Sequence, residues 1–200
     1  MKNGVLSLIS LVCLCFIVAC SPQQGGVGET DGKFISTDIS GADFPKPLTL
    51  TDHTGKLRTM SDFKGKAVVL FFGYTHCPDV CPTTMSDLKN AMKLLGDKSD
   101  QVQVLFVTVD PARDTQEVLA QFVPSFDKRF IGMRGNAQET KETLENFKIF
   151  YSKVEGKSEN DYTIDHSAGM YAFDKAGKIR LYMAYGMKPA EIASDVSKLL

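Results

Sequence analysis

Cys77 and Cys81 stand three residues apart in Phe71-Phe72-Gly73-Tyr74-Thr75-His76-Cys77-Pro78-Asp79-Val80-Cys81-Pro82. An apolar, β-branched run precedes this segment and a helical pattern follows it. The pair is therefore expected where a buried strand hands over to a helix. A helix N-terminus offers unpaired N–H groups and partial positive charge. Both favour thiolate over thiol, so the cysteine pKa is expected to fall. Thiolate is the form that attacks a disulfide and also the form that binds a metal. The Cys-x3-Cys spacing is one residue wider than Cys-x2-Cys, which changes the geometry of any disulfide the pair could close. Pro78 and Pro82 stiffen the backbone after each cysteine, which suits a preset chelate.

Two thiolates rarely complete a metal site. The third candidate is His166, in Asp161-Tyr162-Thr163-Ile164-Asp165-His166-Ser167-Ala168-Gly169-Met170. Two thiolates and an imidazole are soft-to-borderline donors that suit Cu(I), Cu(II) and Zn²⁺. Structural zinc would want a fourth protein ligand. Outside the N-terminal leader and its boundary there is no further cysteine, and only His53 and His76 remain. Three ligands with an open side favour a metal that is handed on, which points to one copper ion. Asp79 and Asp165 are candidates to orient the ligands from behind. A solvated turn carboxylate is an equally good reading of each.

The elements that must carry these residues are legible as a periodic pattern. Residues 48–51 and 57–60 flank a turn at Asp52-His53-Thr54-Gly55 and read as a hairpin. Ser61 to Lys66 reads as a short helical turn. Ala67 to Gly73 is continuously apolar, as suits a strand buried on both faces. Pro82 to Leu95 has helical spacing, with Met85, Leu88, Met92 and Leu95 on one face. Val102 to Val109 is a second buried strand, followed by a helix over 114–122, a strand over 130–133 and a helix over 137–147. Residues 149–154 are extended. Residues 169–173 and 179–184 form an apolar hairpin, and Pro189 to Leu200 closes the chain as a helix. Alternating strands and helices imply an α/β protein with a parallel-containing sheet. The terminal hairpin and helix match the thioredoxin plan, here with an N-terminal β-hairpin and an inserted strand–helix segment around residues 110–150. In that plan the loop before the last hairpin faces the cysteines and commonly carries a cis-proline. No proline lies between Pro124 and Pro189, and His166 stands in that loop.

The first residues are organised differently. Lys2 is followed by an apolar run from Val5 to Ala19 that is too short for a membrane-spanning helix, which needs roughly 20 residues. It ends in Ile17-Val18-Ala19-Cys20, which looks like a bacterial lipobox with Cys20 as the lipidated residue. Val18 is a small departure from the usual pattern. The organisation expected is a lipoprotein-type signal peptide over 1–19, a flexible tether over 20–40, Gly-rich from Ser21 to about Thr30, and the folded domain over 41–200. That places the domain outside the cytoplasm, anchored to a bacterial cell membrane. In such an oxidising compartment the Cys77–Cys81 pair is a disulfide, a redox pair or a metal site. A net charge of −1 gives no electrostatic footprint for nucleic acid.

Cys77-Pro78-Asp79-Val80-Cys81-Pro82, Val109-Asp110-Pro111-Ala112-Arg113-Asp114-Thr115 and Asp165-His166-Ser167, in this order, resemble the Sco/SenC family. The resemblance covers about three-quarters of the chain, from near Gly55 to the end. It implies a membrane-anchored, thioredoxin-like copper chaperone with Cys77, Cys81 and His166 as ligands. It further implies a role in assembling the binuclear CuA site of cytochrome c oxidase, whose copper-site subunit would be the partner of a monomeric chaperone. The alternative is a thiol–disulfide oxidoreductase, or a redox or copper sensor, using Cys77 and Cys81 as a redox pair. Whether the chain turns over a substrate as an enzyme is therefore open. A peroxidase is disfavoured because Thr75-His76-Cys77 lacks the Thr-x-x-Cys spacing. The Asp110–Thr115 motif reads as a turn with Asp114 as a helix N-cap; the alternative is that Arg113 touches a partner.

Overall fold

The computed structural model describes residues 33–45, 48–157 and 161–200. The expected signal peptide, Cys20 and the Gly-rich part of the tether lie outside these residues. Among the described residues no helix is long and apolar enough to cross a membrane.

The chain runs through β1 (Thr37–Asp38), the hairpin β2 (Thr49–Asp52) and β3 (Leu57–Thr59), the central strand β4 (Ala67–Gly73) and the helix α1 (Val80–Leu95). Strand β5 (Val102–Thr108), helix α2 (Gln116–Phe126), β6 (Ile131–Arg134) and α3 (Ala137–Asn146) follow. The chain ends with β7 (Tyr151–Glu155), β8 (Tyr162–His166), β9 (Met170–Phe173), β10 (Ile179–Met183) and α4 (Pro189–Ser197). The main sheet has the order β1-β10-β9-β4-β5-β6-β2-β3, while β7 and β8 pair only with each other. β4 is parallel to β5, from Ala67↔Val102 to Gly73↔Thr108, and antiparallel to β9. Every residue of β4 and β5 is buried, as their unbroken apolar sequence requires. α1 packs beside α4 and turns Met85, Leu88, Met92 and Leu95 inward. This is the expected α/β, thioredoxin-like fold with its added N-terminal hairpin and the inserted α2–β6–α3 segment.

Three expectations need correction. Residues 33–40 belong to the domain and not to a tether: Thr37 and Asp38 pair with Tyr182 and Leu181. The buried carboxylate of Asp195 accepts the N–H groups of Ile35 and Ser36. These partners lie some 150 residues away in sequence, so local polarity alone pointed the other way. Second, α2 begins after Thr115, whose hydroxyl caps the Val118 N–H. Asp114 is not the cap because its carboxylate is used elsewhere, as described below. Third, the segment leading to His166 is a strand, β8, with the register Tyr151↔His166 against β7.

The β2–β3 hairpin is locked by Asp52, which accepts hydrogen bonds from Thr54, the Lys56 N–H and Arg58 Nε, the last at 2.7 Å. Burial by itself would raise this carboxyl, but the hydrogen bonds overcome it and hold the pKa at about 2. An unfolded aspartate titrates near about 3.9. A depressed folded pKa contributes stability above the unfolded value and loses it as pH falls toward the folded one. Asp52→Asn is expected to lower the unfolding free energy at pH 7 by about 2 kcal/mol. The difference from wild type should shrink in urea titrations at pH 3, and an equal loss at both pH values would exclude this origin.

Candidate metal centre

Cys81 is the second residue of α1 and is fully buried, whereas Cys77 in the preceding loop is partly exposed; both are free thiols. The Cys81 sulfur packs into the end of β4. A Cβ built on Gly73 would stand 2.9 Å from Cys81 Sγ and 2.9 Å from Phe106 Cε2, so only glycine leaves room for the sulfur there. The Tyr74 backbone favours the ionised form of Cys81. Burial nevertheless pushes the Cys81 thiol well above the ordinary cysteine value, helped by Cys77 and the Asp114 charge. This reverses the expectation of a lowered pKa. Desolvation in the packed sheet end outweighs the helix terminus. A metal binding here has to displace a proton from that sulfur.

His166, the last residue of β8, faces Cys81 from 85 positions away, with Nε2 at 3.8 Å from Cys81 Sγ. Its Nδ1 lies 3.0 Å from the Ser167 carbonyl. A carbonyl only accepts, so Nδ1 carries the proton and the Nε2 lone pair of the neutral ring points to the sulfur. Burial holds the His166 pKa below the ordinary value, against the Ser167 carbonyl and the Asp165 charge, which pull upward. The imidazole is thus kept neutral, as a metal ligand must be. Cys77, Pro78, Asp79, Val80, Asp165 and His166 are among the residues around one open hollow of about 490 Å³. Among the described residues no three His, Cys, Asp or Glu side chains are already drawn close enough to hold a metal between them. Cys81 and His166 meet, and Cys77 lines the same hollow.

The remaining candidates are placed differently. Asp79 and Asp165 are both exposed. Asp79 accepts from Thr83 Oγ1 at 3.3 Å, and Asp165 reaches His166 through its charge alone. The group that orients His166 is the Ser167 carbonyl. His53 Nδ1 accepts the Gly132 N–H at 2.9 Å, and His76 turns toward Asp114, 3.8 Å away. Neither histidine contacts the cysteine sulfurs among the described residues.

Two positioning residues were not anticipated. Tyr74 packs its ring edge-on to His166, with centroids 6.0 Å apart, and its hydroxyl accepts the Ile164 N–H at 3.1 Å. Asp114, fully buried, accepts the Thr75 N–H at 3.0 Å, Thr75 Oγ1 at 2.6 Å and Thr108 Oγ1 at 2.6 Å. It ties the start of the cysteine loop to the end of β5. An aspartate spaced after a strand carries no signal of such a partner, whereas the Tyr-Thr-Ile-Asp-His alternation could have disclosed β8.

Comparison with known proteins agrees with this geometry. The family model described as SCO1/SenC matches residues 36–200. An SCO2-like protein of Rickettsia felis is 34% identical over 201 aligned positions, covering 96% of each chain. The structure of Bradyrhizobium japonicum ScoI with copper bound is 36% identical, covers 78% of this chain and 99% of its own, and superposes with a TM-score of 0.73. A SCO1/SenC family lipoprotein from Bacillus anthracis is 26% identical, with coverages of 82% and 97% and a TM-score of 0.67. Three motifs, one fold and a family model matching residues 36–200 lead to one conclusion: the chain belongs to the SCO1/SenC family.

Proposed function

We propose that this protein is a membrane-tethered copper carrier that holds one copper ion per monomer through Cys77, Cys81 and His166. In this reading it passes the ion to the CuA site of cytochrome c oxidase. The observation that carries the proposal is the Cys81–His166 approach, 3.8 Å from Sγ to Nε2, with the imidazole lone pair turned inward by Ser167. Two soft thiolates and a neutral imidazole match copper, and copper-bound ScoI, similar over 78% of this chain, supports the assignment. Copper is here the cargo. An open hollow beside a partly exposed Cys77 gives a client's own ligands a way in. The CuA client follows from family membership, and the lipid anchor on Cys20 from the lipobox and from the lipoprotein relative.

The asymmetric exposure of the two thiols favours a second reading, thiol–disulfide exchange. Cys77 as thiolate would attack a client disulfide, and Cys81 would then displace the client's thiol from the mixed disulfide. Two electrons and two protons would pass to the client as the Cys77–Cys81 disulfide forms.

The reduced soluble domain is expected to take up copper at one equivalent, with Cys77→Ser and Cys81→Ser each abolishing it. Loss of His166 in His166→Ala should weaken binding beyond the roughly 10- to 100-fold that follows loss of a ligand's supporting contact. Zinc in place of copper in the purified protein, or intact copper affinity in His166→Ala, would sink the three-ligand site. If His166→Ala loses copper but still reduces client disulfides at the wild-type rate, exchange is a separate activity.

Because burial raises the Cys81 thiol, copper has to compete with a proton there. Apparent affinity is expected to rise from pH 6 to pH 8 with proton release on binding, read by competition titration and by calorimetry in two buffers. A flat profile would show that Cys81 is not a ligand.

In cells, Cys20→Ser is expected to move the protein from the membrane to the soluble extracytoplasmic fraction and to end fatty-acid labelling. Retention at the membrane would exclude the lipid anchor.

A further inference from the structure

The contacts of Arg113 within the domain carry a further role. The guanidinium is turned inward: Nε donates to Asp110 Oδ2, and Nη1 donates to the Tyr162 carbonyl at 2.9 Å. Its Cζ lies 3.5 Å from the Tyr162 ring centroid and 5.8 Å from that of Tyr74. The Tyr162 hydroxyl closes the loop by donating to Asp110 Oδ1 at 2.8 Å. Asp110 is buried at 3% exposure, so both its oxygens are spent inside the protein. Arg134 holds the same connection from β6 by donating to the Pro111 and Asp114 carbonyls.

Tyr162 opens β8 and His166 ends it. Among the described residues this strand pairs only with β7, whose residues are all exposed, and the two-strand sheet is not hydrogen-bonded into the main one. A lone two-stranded hairpin is marginal in water. Where His166 stands relative to Cys81 therefore depends on side chains that grip β8. Those side chains include Ile164, buried in the core at 4% exposure, Arg113 with Asp110 at Tyr162, and the Tyr74 hydroxyl at the Ile164 N–H. Arg113 is held there even though its Nη2 is buried without a hydrogen-bond partner among the described residues, an arrangement that costs stability. A lysine would satisfy the charge of Asp110 but lacks the flat fork that bonds the carbonyl and covers the ring.

We propose that Arg113 is a positioning residue which, through Asp110 and Tyr162, sets the His166 imidazole against the Cys81 sulfur and thereby sets how strongly the site prefers Cu(II) over Cu(I). The inference rests on the copper reading above. Its chemical basis is that two thiolates already satisfy much of what soft Cu(I) wants, whereas Cu(II) gains more from the nitrogen donor. Loosening β8 should therefore be felt mainly in the oxidised state.

The test uses wild type, Arg113→Lys, Tyr162→Phe and His166→Ala. Tyr162→Phe keeps the ring and removes only the hydroxyl, so it serves if the arginine variant folds poorly. In the metal-free proteins, hydrogen exchange at the Ile164 amide is expected to quicken in the first two variants while Val69 in β4 and Leu105 in β5 stay protected. On titration with copper alone, Cu(II) affinity should fall by roughly 10- to 100-fold. The Cu(II) electron paramagnetic resonance spectrum should move toward that of His166→Ala, with Cu(I) affinity changing far less. Given a wild type that binds copper, parallel losses for both oxidation states, or β8 exchange unchanged in Arg113→Lys and Tyr162→Phe, would overturn the positioning role alone. A wild type that binds no copper would instead end the copper reading, and the oxidation-state preference with it.

Discussion

Cys81 Sγ is packed where β4 runs out and α1 begins, against the bare Cα of Gly73 and the ring of Phe106. That position places one constraint on everything nearby. The sulfur is dry, so its proton is held tightly and a simple exposed thiolate is not what the fold supplies. It is also immobile, because both walls belong to the most deeply buried strands of the sheet. Any second donor has to be brought to it, since it cannot move out to meet one. Cys77 approaches from the partly exposed loop before α1, and His166 arrives from a hairpin outside the main sheet.

Holding those two approaches in register is the work of the connection between β5 and α2. In seven residues it contributes Asp114, which fastens the Thr75 end of the cysteine loop, and the Asp110–Arg113 pair, which fastens the Tyr162 end of the histidine strand. Both carboxylates are buried and their oxygens are taken up by hydrogen bonds from several elements. Deleting a single partner from such a group strands a buried polar atom, which is dearer than the bond itself is worth. The segment therefore behaves as one unit, and Tyr74 adds a third link by accepting the Ile164 N–H and packing against the His166 ring.

The elements with long apolar runs were legible before any coordinates. β4 spans the same seven residues in sequence and structure, and α1 begins two residues earlier than its pattern suggested because Asp79 and Val80 close the first turn. Short or amphipathic pieces were harder. β1 and β8 are two and five residues long, and each is a strand only because a distant partner pairs with it. Asp114 illustrates the limit best. Its sequence surroundings match a helix cap, and the adjacent Thr115 took that role because Asp114 had stronger partners across the fold.

By itself the sequence determined the candidate donors, two sulfurs and one nitrogen, the strand-to-helix junction that carries the cysteines and the α/β plan around them. These follow from residue chemistry and from periodicity, which are local. The tertiary structure decided the surroundings of those residues: a Cys81 thiol raised where a lowered one was expected, a His166 oriented by the Ser167 carbonyl with Asp165 an exposed carboxylate, and an Arg113 turned inward. The reason is physical. Burial and the hydrogen bonds of buried groups are set by what packs from far along the chain, and in this protein the decisive partners lie 39, 49, 52 and 85 residues apart.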